Sequence, residues 1–250
     1  MPTQTVRVPT GDGDLKASLA LPDSSAQSDS PRPGVIVLHE LFGLNNDIRR
    51  IAQRFADNGY VALAPDLYSV GPRRRLLCIR RTMQALRSGE GRAFDDIESA
   101  RAWLAKRDDV DESRLAVAGF CLGGGFAILH AARSPVGVAA DFYGAVPREA
   151  DTLDGICPVF AGYGELDRAF VGQAGRLREH LDALDVEHEI VVYPGAGHSF
   201  MSQYGLVRSL MVRLSPMKVG HHEPSAEAAW ATMLDFFQRT LSGTSDAVQT

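Results

Sequence analysis

Two glycines, Gly119 and Gly123, bracket a cysteine where an apolar run gives way to a helical one. Leu115-Ala116-Val117-Ala118 reads as a buried strand, and Gly124-Gly125-Phe126-Ala127-Ile128-Leu129-His130 reads as the start of a helix. A strand that turns directly into a helix leaves no room for side chains on either side of the turn. The central residue is strained, and its side chain projects above the sheet, which is the geometry of a nucleophile elbow. Here that side chain is the Cys121 thiol, so the pattern points to covalent catalysis by cysteine. Two plainer readings stand beside it. A cysteine after a strand can serve as a small core hydrophobe, and glycines after a strand can cradle a phosphate. The phosphate turn requires G-x-G-x-x-G, an order that Gly119, Gly123, Gly124 and Gly125 do not supply.

A cysteine nucleophile needs a base to take its proton and an acid to orient that base. On this elbow the chain order is nucleophile, acid, histidine. Pro158 to Gly164 reads as a short strand entering a glycine turn, followed by Glu165-Leu166-Asp167. Glu189 to Tyr193 reads as a further strand, followed by Pro194-Gly195-Ala196-Gly197-His198-Ser199-Phe200. Each candidate lies just after a strand, where catalytic groups collect in open α/β sheets. Asp167 is the expected acid and His198 the expected base. Glu165 and Asp185 are rival acids, Glu165 also serving as a turn residue. His188 is a rival base that reads better as a solvated histidine leading into a strand.

Strand-like and helix-like segments alternate, so the fold class is α/β with a mainly parallel sheet. Val35 to His39 is nearly all apolar, as in a strand covered on both faces. Asp47 to Asn58 carries Ile48, Ile51, Ala52 and Phe55 at helical spacing, with Gly59 as a stop. Tyr60 to Ala64 is the next strand. Asp95 to Lys106 is helical through Ile97, Ala100, Trp103 and Leu104, and a last helix spans about Ser225 to Leu241. The polar stretch Pro22 to Pro31 reads as a hairpin-type loop between early strands. With 250 residues and no evident linker, one domain over 1–250 is expected.

At these residues the chain resembles the dienelactone hydrolase family of α/β-hydrolases. The carrying segments are Val37-Leu38-His39-Glu40-Leu41-Phe42-Gly43-Leu44, Ala64-Pro65-Asp66-Leu67-Tyr68, Gly119-Phe120-Cys121-Leu122-Gly123-Gly124, Gly164-Glu165-Leu166-Asp167 and Gly197-His198-Ser199-Phe200. The resemblance implies an α/β-hydrolase fold with helices on both faces of the sheet and a Cys121, Asp167, His198 triad. It further implies a glutamate, Glu40, that contacts the resting thiol, and an oxyanion hole made by the backbone N–H groups of Leu41 and Leu122. A nearby carboxylate disfavours thiolate, so Glu40 would keep Cys121 neutral until substrate arrives. The family's two carboxylate-binding arginines are replaced: Ser202 and Cys78 fall at their places. Arg73, Arg74, Arg75, Arg80 and Arg81 lie nearby, and Arg80, Arg81, Phe42 and Ser202 are the candidate substrate contacts. An ester, lactone or thioester hydrolase of broader or different specificity, with dienelactone not its preferred substrate, is expected.

The net charge of −5 gives no reason to invoke nucleic acid. No apolar run reaches membrane-spanning length, and Met1-Pro2-Thr3-Gln4-Thr5 does not start like a signal peptide. Cys78, Cys121 and Cys157 are odd in number and widely spaced, which suits a reducing, cytoplasmic setting. His221-His222-Glu223 lacks the further spaced ligands of a zinc site, so no metal is expected, and the chemistry calls for no cofactor. A small-molecule substrate and a monomer or homodimer are expected. Leu206, Val207, Leu210, Met211 and Leu214 suggest an extra helix within Gln203 to His222. A thioesterase, or a non-catalytic binding protein on a hydrolase scaffold, remains the competing reading.

Overall fold

A computed structural model of the protein describes residues 3–23, 30–69, 75–203 and 218–243. Its strands are β1 (Gln4–Thr10), β2 (Gly13–Ala20), β3 (Arg32–Leu38), β4 (Val61–Pro65), β5 (Val110–Phe120), β6 (Val138–Phe142), β7 (Val159–Gly164) and β8 (His188–Tyr193). All eight join one sheet in the order β1-β2-β4-β3-β5-β6-β7-β8. β2 pairs antiparallel with β1 and β4, and every pairing from β4 onward is parallel. The parallel strands are covered on both faces, which is why β4 and β6 are buried at every position.

Helices α1 (Asn46–Asp57), α2 (Arg75–Ser88), α3 (Arg92–Ala105), α4 (Leu122–Ala131), α5 (Gln173–Ala183) and α6 (Glu223–Gly243) flank the sheet. α1 starts where Asn45 Oδ1 accepts the backbone N–H groups of Asp47 and Ile48, at 2.9 and 3.0 Å. It buries Ile48, Ile51, Ala52 and Phe55, the stripe legible in the sequence. Phe55 meets Trp230 and Phe237 of α6 at ring separations of 4.6 and 6.4 Å, which joins α1 to α6. Phe94 and Phe126 join α3 to α4 at 5.0 Å.

Some expectations shift. β4 lies between β2 and β3, so the strands flanking the Pro22–Pro31 stretch are not sheet neighbours; 24–29, the middle of the expected loop, lie outside the described residues. The hairpin is β1–β2, turning at Gly11 and Asp12. Arg75, Arg80 and Arg81 of the arginine-rich segment fall in α2, a helix not among the expected elements. α3 begins at Arg92, three residues before the periodic pattern. His188 is not a solvated histidine: it is half-buried at the start of β8, with Nδ1 2.9 Å from the Val186 carbonyl. Arg73, Arg74 and the expected helix through Leu206 to Leu214 lie outside the described residues.

The C-terminal ends of β3, β5, β6, β7 and β8 open on one edge of the sheet and lead to Glu40, Cys121, Tyr143, Asp167 and His198. The turn after β5 leaves no room for side chains on either flank of Cys121. A Cβ on Gly119 would lie 1.9 Å from the Gly123 carbonyl oxygen, and one on Gly123 would lie 2.3 Å from the Leu38 carbonyl oxygen. Gly123→Ala is therefore expected to cost on the order of 3 kcal/mol of folding stability, read as a lowered urea midpoint. An unchanged midpoint would mean that α4 can move away from β3.

Candidate active site

Cys121 sits between β5 and α4 with φ 54° and ψ −113°. This is a left-handed φ that a side-chain-bearing residue rarely adopts. Two contacts hold it there. Its N–H donates to the Phe142 carbonyl at 2.9 Å, and its own carbonyl accepts from Gly124 N–H at 3.0 Å. The strain turns the half-buried thiol toward the base.

His198 Nε2 lies 3.1 Å from Cys121 Sγ, and its Nδ1–H donates to Asp167 Oδ2 at 2.6 Å. Imidazole and carboxylate are both almost fully buried. Two loops meet to make this pair. Leu166 N–H donates to the Ala196 carbonyl at 2.8 Å, and a Cβ on Gly164 would sit 2.5 Å from the Gly197 carbonyl oxygen. Glycine at 164 thus allows the acid loop and the base loop to touch. Phe170 stacks on the imidazole at 4.7 Å, and the Tyr143 ring lies 5.1 Å from it. Burial works against the charged imidazolium, but hydrogen bonding to Asp167 and to Cys121, with their negative charge, outweighs it and pushes the His198 pKa up to about 10.

Behind the triad lies Asp141, fully buried at the end of β6. Its Oδ1 accepts Gly144 N–H at 2.8 Å, and its Oδ2 accepts the Tyr163 hydroxyl at 2.5 Å. Burial raises its pKa to about 6 against the opposing pull of these bonds and of His198. A Cβ on Gly124 or Gly144 would fall 2.1 or 2.2 Å from Oδ1, so both glycines make room for the carboxyl group.

A cleft of about 850 Å³ opens over Cys121 and His198, walled by Leu41, Leu122, Met83, Leu86, Leu129, Val146 and Phe170 among others. Leu41 and Leu122 line this cleft together with Cys121. Of the candidate substrate contacts, the structure brings none into this wall. Ser202 is fully buried, and its hydroxyl donates to Glu40 Oε1 at 2.8 Å, with the Tyr143 hydroxyl 3.4 Å away. Phe42 is half-buried and not part of the wall. Arg80 and Arg81 are exposed. On α2 the cleft-facing stripe is Met83, Leu86 and Arg87, which leaves Arg80 a turn ahead of it. Arg81 instead borders a separate cavity with Cys78 and Asp96. The arginines of the cleft are Arg87, Arg133 and Arg148. Arg133 is engaged with the Gly89 carbonyl and the Phe94 ring. No sequence motif marked Tyr143, Phe170, Asp141 or these arginines, because they come from segments that carry no local signature. The rivals have other work: Glu165 Oε2 accepts Gly195 N–H at 3.0 Å, and Asp185 sits at φ 53° in the turn after α5.

The profile of the dienelactone hydrolase family matches residues 15–241. The chain belongs to the dienelactone hydrolase family. It is 32% identical over 245 residues to a candidate carboxymethylenebutenolidase of Yersinia pestis, spanning 92% of this chain and 85% of that one. A counterpart from Escherichia coli K12 is 32% identical over 228 residues, covering 85% of this chain and 79% of its own. Among solved structures, a candidate dienelactone hydrolase from Klebsiella pneumoniae superposes with a TM-score of 0.73 at 28% identity, covering 94% of this chain and 98% of that one. Dienelactone hydrolase from Anabaena variabilis, at 19% identity, shares the fold with a TM-score of 0.67 over 95% and 97% of the two chains. Within this family the buried Cys121–His198–Asp167 network is that of an ester hydrolase with a cysteine nucleophile.

Among the described residues no cluster of three His, Cys, Asp or Glu side chains could hold a metal ion, and no helix is long and apolar enough to cross a membrane. His221 and His222 are turned to structural partners, the Phe200 carbonyl at 3.0 Å and the Ser225 hydroxyl at 2.8 Å.

The raised His198 pKa carries a sign. The unfolded imidazole titrates near 6.5 and the folded one near 10, so its stabilisation is complete below pH 6.5 and is lost as pH rises toward 10. Asp167→Asn removes much of this, and its urea midpoint should change less between those pH values than that of the wild type. The same substitution should lower kcat on the order of 10⁴-fold. Wild-type kcat with Asn at 167 would remove Asp167 from the triad.

Proposed function

We propose that the protein hydrolyses small carboxylic esters or lactones through an acyl-cysteine intermediate. The observation that carries this reading is His198 poised between Cys121 Sγ at 3.1 Å and Asp167 Oδ2 at 2.6 Å on the floor of a substrate-sized cleft. His198, its imidazole oriented by Asp167, takes the thiol proton as the sulfur attacks. The sulfur then adds to the substrate carbonyl carbon, and the C=O π electrons move to oxygen. We assign the stabilisation of that oxygen to the Leu41 and Leu122 amides. Both residues border the cleft, and their N–H groups have no hydrogen-bond partner among the described residues, as befits donors reserved for an oxyanion. Collapse breaks the C–O bond, and the leaving alcohol takes its proton from His198. Water, deprotonated by the same imidazole, adds to the thioester carbonyl; the C–S bond breaks, the sulfur takes the proton back from His198, and the carboxylic acid leaves.

The cleft wall is mainly apolar, with the exposed Arg87 and Arg148 on it. Cys78 and Ser202, at the family's two arginine places, are both buried, one beside a separate cavity and the other bound to Glu40. This supports a substrate other than dienelactone. The proposed role of Glu40 is to oppose thiolate formation at rest, its carboxylate held by Ser202 against the base loop. One continuous sheet closed by α6 supports a single domain over 1–250. The triad and cleft come from one chain, so a monomer or a homodimer would serve. Three free cysteines accord with a cytoplasmic setting.

Stopped-flow hydrolysis of an activated aryl ester should give a burst of leaving group equal to the enzyme concentration, absent in Cys121→Ala. Turnover unchanged in Cys121→Ala would contradict covalent catalysis. A matched thioester compared in the same assay separates esterase from thioesterase. Glu40→Gln should raise the rate of Cys121 alkylation by iodoacetamide about tenfold, the size of a one-unit change in thiol ionisation. An equal or slower rate would remove Glu40 as a restraint on the thiol.

A further inference from the structure

The peptide unit joining Glu40 to Leu41 is held with unusual completeness. Its carbonyl oxygen, on Glu40, accepts Gly43 N–H at 3.0 Å and stands 2.7 Å from His39 Nδ1. The other end of the same planar unit is the Leu41 N–H, to which the oxyanion is assigned. Because the peptide is rigid and trans, fixing the direction of the carbonyl fixes the direction of the amide hydrogen. His39 is itself pinned. Its Nε2 lies 3.1 Å from Leu67 N–H, which can only donate, so that nitrogen must be the bare acceptor and Nδ1 must carry the proton. Asp66 Oδ1, at 4.0 Å from Nε2, is beyond hydrogen-bond reach.

The loop after β4 braces the arrangement from outside. The Tyr68 ring packs on the His39 ring at 4.8 Å, and the Tyr68 hydroxyl donates to the Leu41 carbonyl at 3.2 Å. Asp66 N–H, donating to the Lys16 carbonyl at 2.8 Å, ties that loop to β2. His39 is completely buried and absent from the cleft wall, so it meets neither substrate nor water there.

We infer that His39, as the neutral Nδ1–H tautomer, is a positioning residue for the oxyanion hole: it bridges Leu67 N–H to the Glu40 carbonyl and thereby aims the Leu41 amide at the reacting carbonyl oxygen. A hydrogen bond to a peptide carbonyl also polarises the unit and strengthens its N–H as a donor. The inference rests on the oxyanion role assigned to Leu41.

The test uses the full chain and two substitutions that divide the functions of the ring. His39→Asn places an amide N–H near the position of Nδ1 and keeps the donor to Glu40. His39→Gln places a carbonyl oxygen near Nε2 and keeps only the acceptor for Leu67. Three readouts apply: the ¹⁵N side-chain shifts of wild-type His39, assigned by their loss in His39→Asn; the acylation rate constant for an aryl ester; and inhibition by a trifluoromethyl ketone, which forms a tetrahedral oxyanion on the thiol, compared with inhibition by a carboxylate product.

Expected are a protonated Nδ1 with a bare Nε2, and a His39→Gln acylation rate about 10- to 100-fold down, below the loss from deleting a donor outright. The ketone should weaken by the same factor, with product binding unchanged, and His39→Asn should recover most of both. A proton on Nε2 of wild-type His39, a wild-type acylation rate in His39→Gln, or equal losses in ketone and product binding would each overturn the inference. The wild-type NMR readout stands even if the variants fold poorly. A wild type that neither acylates nor binds the ketone overturns the hydrolase reading and this inference together; a wild type that does both, matched by His39→Gln, removes His39 alone.

Discussion

Helix α4 starts with its backbone pressed against the end of β3. A Cβ on Gly123 would lie 2.3 Å from the carbonyl oxygen of Leu38 and 2.9 Å from that of His39, so only glycine permits the contact. The strained φ of Cys121, the outward thiol and the position of the Leu122 amide all follow from it. The same contact sets the elbow beside the Glu40–Leu41 peptide. Nucleophile and both assigned oxyanion donors are therefore placed by one backbone approach, and the leucine side chains need only wall the cleft.

A second close approach, at Gly164, brings the acid and base loops together and decides the electrostatics. Burial alone would strip the proton from His198, yet Asp167 and Cys121 hold it on. The imidazole can serve as acid and base in turn because Asp167 holds Nδ1 and leaves Nε2 to exchange a proton with Cys121. Ser202 extends this linkage. It closes a turn with its N–H on the Ser199 carbonyl at 3.0 Å, and its hydroxyl grips Glu40 from across the site. The base loop and the loop after β3 are thereby coupled through one buried hydroxyl.

Much of this was legible in the sequence, and the reason is local. Elbow, acid and base each sit on a strand-to-loop turn whose glycines announce it, and the stripe of α1 has clear helical spacing. What was not legible depends on contacts between distant segments. Ser202 reads as a missing substrate contact until the fold sets it against Glu40. Arg81 reads as a pocket candidate until the phase of α2 turns Met83, Leu86 and Arg87 to the cleft, while Arg80, on the same stripe, lies a turn short of it. The sheet order could not be read either, because β4 inserts between two strands that are neighbours in sequence. His39 stood in plain view within the motif that suggested the family, but its bond to Leu67 spans a loop no spacing rule connects.

The central claim is that carbonyl chemistry passes through a thioester on Cys121. It is tested most directly by rapid-quench intact-mass spectrometry during ester turnover, with peptide mapping of any adduct. The account requires an added acyl mass on the peptide containing Cys121, appearing within the first turnover and decaying as carboxylic acid is released. Turnover with no acyl mass at any quench time, or an acyl group mapped to another residue, would contradict it.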